Sequence, residues 1–156
     1  MEAGSVAFCT VNEQEKKMKK AFIVGLFLVF VGLMPVSAET WEEFIKRVEI
    51  MEYNFGDGLN RGNQNTWSVD KWGALFATAY WLEIAYEDIY KNCPGLSQEQ
   101  KQIYKRLWDR HRIQSDDLTR LFKLTYATGT STARRIVDRW DYWTKHLENG
   151  GTIKIN

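Results

Sequence analysis

The amino-acid sequence predicts an all-α protein, an up-down antiparallel bundle of four helices with two long central helices, after an N-terminal signal peptide. Three observations predict the helical domain. Apolar side chains recur at spacings of three and four residues through most of residues 41–148. Helix-capping residues precede each apolar run, and glycine-containing turns follow each one. No part of this range alternates between apolar and polar residues as a half-buried strand does.

The first helix is predicted to begin after Thr40. Thr40 and Glu43 have the spacing of a capping box, in which the hydroxyl accepts a backbone N–H and the carboxylate reaches back to the cap. Gly56 and Gly58 predict the end of this helix, because glycine favours a helix C-terminus. A loop rich in glycine and asparagine at residues 60–65 is expected to follow.

The second helix is predicted at residues 69–91, with Ser68 as its cap. It is apolar around much of its circumference, with Trp72 on one face and Trp81 on the opposite one. Such a helix is typical of a central element that has neighbours on two sides. The turn at residues 92–95 ends it, because its proline cannot donate a backbone hydrogen bond.

The third helix is predicted to run from residue 98 to about residue 127. Ser97 and Gln100 form a second capping box. The polar residues 115–117 have the composition of a new helix cap, but the apolar arc keeps its phase across them. One continuous helix is therefore favoured, with Gly129 after its end.

The fourth helix follows a cap at residues 130–132. Its apolar residues, which include Trp140 and Trp143, keep the helical spacing as far as Leu147. The short alternating tail at residues 152–156 is expected to be frayed.

Residues 1–38 are interpreted as an upstream extension plus a cleavable signal peptide, and residues 39–156 as one helical domain. Lys19 and Lys20 precede an apolar segment at residues 21–34, and small residues stand at the cleavage positions before Glu39. As a helix this segment spans about 21 Å, which is short for a bilayer core of about 30 Å, so cleavage is favoured over an uncleaved anchor. Met18 is a natural first residue for such a signal peptide, so the sequence leaves open whether the residues before it are translated. A periplasmic or secreted protein is expected.

The composition excludes several classes of protein. The chain has 156 residues, of which 44% are hydrophobic and 26% charged, and only two are proline. These values fit one globular domain and exclude a collagen, a low-complexity chain or a polytopic membrane protein. A net charge of +1 lacks the basic excess of a nucleic-acid-binding protein. Cys93 is the one cysteine after residue 38, so a free thiol or an intermolecular bridge in an oligomer is expected.

The sequence carries none of the motifs that hold metals or covalent haem. There is no Cys-x-x-Cys-His, and neither His111 nor His146 has a glutamate three residues before it, as a di-iron helical bundle requires. The zinc spacings are also absent. No metal or cofactor is therefore expected.

Glu83 and His111 fall on the apolar faces of the second and third helices. A buried carboxylate needs a partner, or its pKa rises until it is neutral. Two interpretations remain open. One is a hydrogen-bonded pair, of Glu83 with His111 or with an arginine, that fixes the register of the helices. The other is a ligand site between helices, with Glu83 as acid or base and His111 as proton carrier or axial ligand.

Aromatic residues are abundant, and all seven tryptophans and all seven tyrosines follow residue 38. Some of them point away from the main apolar arcs. Arg135, Arg139, Tyr142 and His146 form one outward stripe on the fourth helix, and Trp81 lies off the main arc of the second. Arginine, tyrosine and tryptophan are enriched at the centres of protein interfaces. The stripe therefore indicates a partner-binding surface, with a solvated face of i,i+4 ion pairs as the alternative.

Residues Leu96-Ser97-Gln98-Glu99-Gln100 resemble the Leu-Thr-x-x-Gln motif of small periplasmic helical chaperones and metal-stress sensors. The match covers five residues and occurs once, whereas that family carries the motif twice. A capping box with a preceding hydrophobic residue gives the same letters. The resemblance implies an extracytoplasmic, chaperone-like role.

No nucleophile and base have a recognisable catalytic spacing. We therefore expect a non-enzymatic exported helical protein that binds a larger protein, as an accessory subunit or an assembly factor. A larger exported redox enzyme complex is a candidate partner. The alternative is a small-molecule or non-covalent haem-binding bundle that uses His111, Glu83 and Met51.

Overall fold

The computed structural model describes residues 39–127 and 129–156, and the predicted signal peptide at residues 1–38 lies outside them. Within the described ranges every regular element is helical, which confirms the predicted all-α class. No helix there is both long and apolar enough to cross a membrane. The elements are α1, Trp41–Asn60; α2, Val69–Asn92; α3, Gln98–Thr125; and α4, Ser131–Glu148, with a 3₁₀ turn at Gln64–Thr66.

Both predicted capping boxes are present. The Thr40 hydroxyl accepts from the backbone N–H of Glu43 at 3.2 Å, and the Glu43 carboxylate accepts from the backbone of Thr40 at 2.9 Å. Ser97 and Gln100 repeat the arrangement at the start of α3, at 3.2 and 2.9 Å. α3 then continues without a break through residues 115–117, as its apolar phase predicts.

α2 is the one central helix. Fourteen of its residues are buried, and it packs against each of the other three helices. α3 is as long as predicted but lies at the surface, since His111 and Leu118 are its only buried residues. The predicted pair of central helices is therefore reduced to one. The reason is compositional, because α3 has a single apolar stripe whereas α2 is apolar around much of its circumference.

Aromatic pairs define how α2 meets α3. Trp72 near the start of α2 contacts Tyr126 just after α3, and Tyr90 near the end of α2 stacks on Trp108. Because the pairs run in opposite order along the two helices, α2 and α3 are antiparallel.

The approach of α4 to α2 is closest at Gly73. A Cβ atom built on Gly73 would lie 2.8 Å from the backbone carbon of Arg139 and 2.9 Å from the backbone nitrogen of Trp140. Only a residue without a side chain permits the two backbones to come this close. Gly73 thus sets the position of α4.

α1 does not end at its glycines, as the sequence had suggested. It continues through Gly56 and Gly58 to Asn60. Gly58 is buried, and a Cβ atom there would lie 2.6 Å from Cγ2 of Ile155. The glycine therefore serves close packing inside the helix rather than its termination.

The C-terminal segment is also unlike the prediction of a frayed tail. Ile153 and Ile155 are both buried. The side-chain amide of Asn54 donates to the carbonyl of Ile153 at 2.7 Å, and the backbone N–H of Ile153 donates to the sulfur of Met51 at 3.2 Å. Residues 149–156 are therefore packed onto α1.

Candidate functional site

His111 on α3 is fully buried between aromatic rings. Its imidazole stacks on Tyr86 of α2, with ring centroids 5.3 Å apart and the planes at 17°. On another side it meets Phe55 of α1 at 5.8 Å. Three helices thus enclose one imidazole.

The partner of His111 is Glu52 of α1. Oε2 of Glu52 lies 2.5 Å from Nε2 of His111 and accepts from the Tyr86 hydroxyl at 2.9 Å. Oε1 of Glu52 is paired with the guanidinium of Arg110. We call these four residues, Glu52, Tyr86, Arg110 and His111, the Glu52 clasp. One carboxylate in the clasp joins α1, α2 and α3.

The protonation of the clasp follows from its geometry. Partial burial acts to raise the pKa of Glu52, but the hydrogen bond and charge of His111, aided by Tyr86 and Arg110, outweigh it, so the pKa lies below its ordinary value. Burial and then the nearby Glu52 charge raise the pKa of the Tyr86 phenol. The clasp is therefore built around an ionised Glu52 and a neutral Tyr86.

Neither nitrogen of His111 faces an open site. Nε2 is engaged with Glu52, and Nδ1 is buried without a hydrogen-bond partner in the described chain. An axial haem ligand needs a free and accessible imidazole nitrogen. In this arrangement His111 of α3 contacts residues of α1 and α2, and so helps to pack the three helices together.

Of the two pairings left open for Glu83, with His111 or with an arginine, the first does not form, because Nε2 of His111 contacts Glu52 and its Nδ1 has no hydrogen-bond partner in the described chain. Glu83 is half-buried on α2, close enough to Tyr80 that its charge adds to burial in raising the pKa of that phenol. The residue that sequence reasoning missed is Glu52. Its signal was present, because Glu52 lies four residues after Val48 and three before Phe55, on the apolar face of α1.

The third residue of the ligand-binding alternative, Met51, is fully buried, and its sulfur accepts the N–H of Ile153. No group of three histidine, cysteine, aspartate or glutamate side chains suited to a metal occurs in the described ranges. The groove between α1, α2 and α3 has a volume of about 180 Å³. Sites for small molecules usually occupy about 300–1,000 Å³. His111, Glu83 and Met51 do not line this groove.

In the α4 stripe, two side chains are exposed without a hydrogen bond to the rest of the described chain, and two are hydrogen-bonded to other parts of the protein. Arg135 and Tyr142 are exposed, Tyr142 by 52%. Arg139 is half-buried, and its Nε donates to Asp70 at 2.6 Å while its guanidinium lies 4.4 Å from the Tyr142 ring centroid. The imidazole of His146 is hydrogen-bonded to the carbonyl of Thr152 at 3.1 Å.

Trp81 was predicted at the partner-binding surface, but it is buried, with 9% of its surface exposed. The Phe44 ring meets it edge-on at 6.0 Å, and the Arg47 guanidinium lies 4.7 Å from its ring centroid. α1 thus covers the second apolar face of α2. The helical wheel could not show this, because it records one helix at a time.

Cys93 is a free thiol within the described residues, and it is half-buried in the turn between α2 and α3. Its Sγ donates to the carbonyl of Pro94 at 3.7 Å. Burial, with a contribution from Asp88, raises the pKa of the thiol. The thiolate, which is the reactive form, is therefore disfavoured.

No protein-family model, curated protein or solved structure matches this chain. Two features of the chain itself are the candidates for a functional role, the Glu52 clasp in the interior and the exposed part of α4.

Proposed function

We propose that this chain is an exported, non-enzymatic helical protein that binds a larger protein through α4, as an accessory subunit or an assembly factor. The observation that carries the proposal is the exposed ring of Tyr142 on a helix whose opposite face is buried. Large exposed aromatics beside arginine are typical of the centres of protein interfaces. A larger exported complex, such as a redox enzyme complex, is the proposed class of partner.

The exposure of the α4 residues supports a narrower choice of residues for the proposed surface. Arg135 and Tyr142 are seven residues apart, so they lie on the same face of α4, two turns from each other. Arg139 lies between them and is tied to Asp70, so it holds the Tyr142 ring in place by a cation–π contact. We therefore assign direct binding to Arg135 and Tyr142 and a supporting role to Arg139 and His146.

The test is capture of partners from the native envelope fraction with the tagged protein, followed by mass spectrometry. The double variant Arg135→Ala with Tyr142→Ala is expected to fold normally and to lose the partner, because truncation of an interface centre costs about 2 kcal/mol or more. Arg120 and Tyr53 are similarly exposed on α3 and α1. The matched control Arg120→Ala with Tyr53→Ala should keep the partner. Equal capture by both double variants would contradict the proposal.

Export through residues 1–38, acting as a cleavable signal, is part of this proposal. The support is the order of a basic, an apolar and a small-residue segment before Glu39. N-terminal sequencing of the protein from its native source is expected to begin at Glu39. Retention of the whole segment would contradict export by cleavage.

The ligand-binding alternative has less support, because Nε2 of His111 and the sulfur of Met51 both have partners within the protein. A visible spectrum separates the two proposals. The purified protein is expected to lack a Soret band, and a haem spectrum that titrates to one equivalent would favour the alternative.

A further inference from the structure

α1 is attached to the domain differently from the other helices. It packs less extensively on α2 than α3 and α4 do. Its buried apolar residues, Val48, Met51 and Phe55, are supplemented by the charged Glu52, which reaches across to α3. A charged group therefore contributes to the attachment of α1, beside its apolar residues and the hydrogen bonds of Met51 and Asn54 to Ile153.

The charge of Glu52 balances two nitrogen donors on α3. Arg110 is paired with one carboxylate oxygen and His111 with the other. If Glu52 takes a proton, its negative charge is lost while Arg110 stays charged. The fully buried His111 then no longer has a charged carboxylate against its Nε2.

A buried polar group that loses a charged hydrogen-bond partner is destabilised. Water can reach His111 only if one of the helices around it moves. Phe55 and Glu52 are the α1 residues that contact the imidazole, so departure of α1 would hydrate it. The less extensive packing of α1 makes this the least costly opening.

We propose that α1 is an acid-released arm, in which protonation of Glu52 opens the Glu52 clasp and frees α1 while α2, α3 and α4 stay packed. Release would uncover the apolar face of α2 that contains Trp81. This conformational change does not depend on the proposed partner.

The sign of the pH dependence follows from Glu52. Its pKa in the folded protein is below the ordinary value of 4.5. The stabilisation is therefore fully present above that ordinary value and is lost as the pH falls through the lower, folded-state pKa. Release is expected below pH 4.5, and the opening constant should rise by up to about tenfold per pH unit, as for one proton.

Besides Glu52 and His111, the titratable and charged groups in and around the clasp are Glu49 on α1, Tyr86 on α2, and Tyr104 with Arg110 on α3. Burial, and then the charges of Glu49 and of Cys93, raise the pKa of Tyr104, so both tyrosines stay neutral throughout acid. Outside the clasp, the hydrogen bond from the backbone of Thr40 lowers the pKa of Glu43, so the cap of α1 also weakens in acid.

The test is hydrogen exchange of the purified protein between pH 7 and pH 3, corrected for the intrinsic pH dependence of exchange. In the wild type, α1 amides are expected to lose protection at a higher pH than α2 amides. Glu52→Gln should give rapid α1 exchange already at pH 7, with α2 still protected. The control Glu43→Gln keeps the clasp and should retain the acid transition of α1.

Simultaneous loss of protection in α1 and α2 in the wild type would overturn the proposal, because it would show global unfolding. An unchanged acid transition in Glu52→Gln would overturn it as well. Should Glu52→Gln fail to fold, the wild-type comparison of α1 with α2 and the Glu43→Gln control decide the question on their own.

Discussion

The interface between α2 and α4 and the junction of α1 with α3 illustrate two ways of joining helices. At the first, Gly73 lets the backbones touch, and the Phe76 and Trp140 rings pack at 5.5 Å. At the second, Glu52 and His111 meet through a hydrogen bond inside the protein. The first junction depends mainly on shape, with a partly exposed ion pair of Arg139 and Asp70 at its edge, and the second depends on a charge inside the protein.

The difference has a consequence for stability. An apolar contact keeps its strength across pH, whereas a contact that needs an ionised carboxylate weakens in acid. The domain therefore has a part that is insensitive to pH, centred on α2, and a part that is sensitive, centred on Glu52. The following substitutions test this contrast, from the largest expected effect to the smallest.

Trp72→Ala is expected to lower the free energy of unfolding by about 3–5 kcal/mol, because it opens a large cavity in the apolar part. Trp72 has no exposed surface and meets four other aromatic rings. Urea unfolding at pH 7 measures the loss. The control Tyr53→Ala, at a residue that is 74% exposed, should change stability by no more than about 0.5 kcal/mol. Similar losses in the two variants would contradict the central place of Trp72.

Three glycines inside helices form a graded series. Gly73→Ala forces a Cβ against α4 backbone and should cost about 1–3 kcal/mol. Gly58→Ala meets the side chain of Ile155, which can move, so its cost should be smaller. Gly56→Ala has open space and should stabilise α1 by up to about 1 kcal/mol. Thermal melts rank the three, and any other order would show that α4 or the tail is packed differently.

Tyr86→Phe removes one hydrogen bond to Glu52 and keeps the ring that stacks on His111. A cost of about 0.5–1.5 kcal/mol at pH 7 is expected. Because this hydrogen bond helps to lower the pKa of Glu52, its loss should move the acid transition of α1 to higher pH. Hydrogen exchange of α1 against pH measures the shift. A transition that stays in place would argue against control by Glu52.

The smallest expected effects on stability are those of replacing two arginines of α4. Arg139→Ala loses a partly exposed ion pair with Asp70 and should cost under about 1 kcal/mol. Arg135→Ala should fall within about 0.5 kcal/mol of the wild type, because the described residues offer Arg135 no ion-pair partner. Differential scanning calorimetry can resolve them. A larger loss for Arg135→Ala would mean that it is structural and would weaken its assignment to binding.

Local signals in the sequence predicted much of the fold. The caps at Thr40 and Ser97 depend on residues three positions away, and the continuity of α3 depends on a periodic pattern within one helix. The apolar circumference of α2 likewise indicated its central place. Each of these features is decided by neighbours along the chain or by burial alone.

The candidate site was less predictable, because its contacts join distant parts of the chain. The helical phase of α3 identified His111 as buried. It could not identify Glu52 as the partner of His111, because the two residues are 59 positions apart in the chain. The helical phase of α2 likewise placed Trp81 on a second face of that helix without showing that α1 covers it. Pairing of this kind depends on how helices are arranged, which one sequence without structure does not determine.

The packing of residues 149–156 onto α1 bears on the order in which the domain forms during synthesis. Arg47, Met51 and Asn54 are hydrogen-bonded to residues 100, 102 and 99 positions further along the chain. α1 is synthesised before its partners Leu147 and Ile153, so its packing is complete only after these residues have been added. Closing so long a loop is entropically costly, so we expect α1 to dock late onto a core that α2, α3 and α4 have already begun to form.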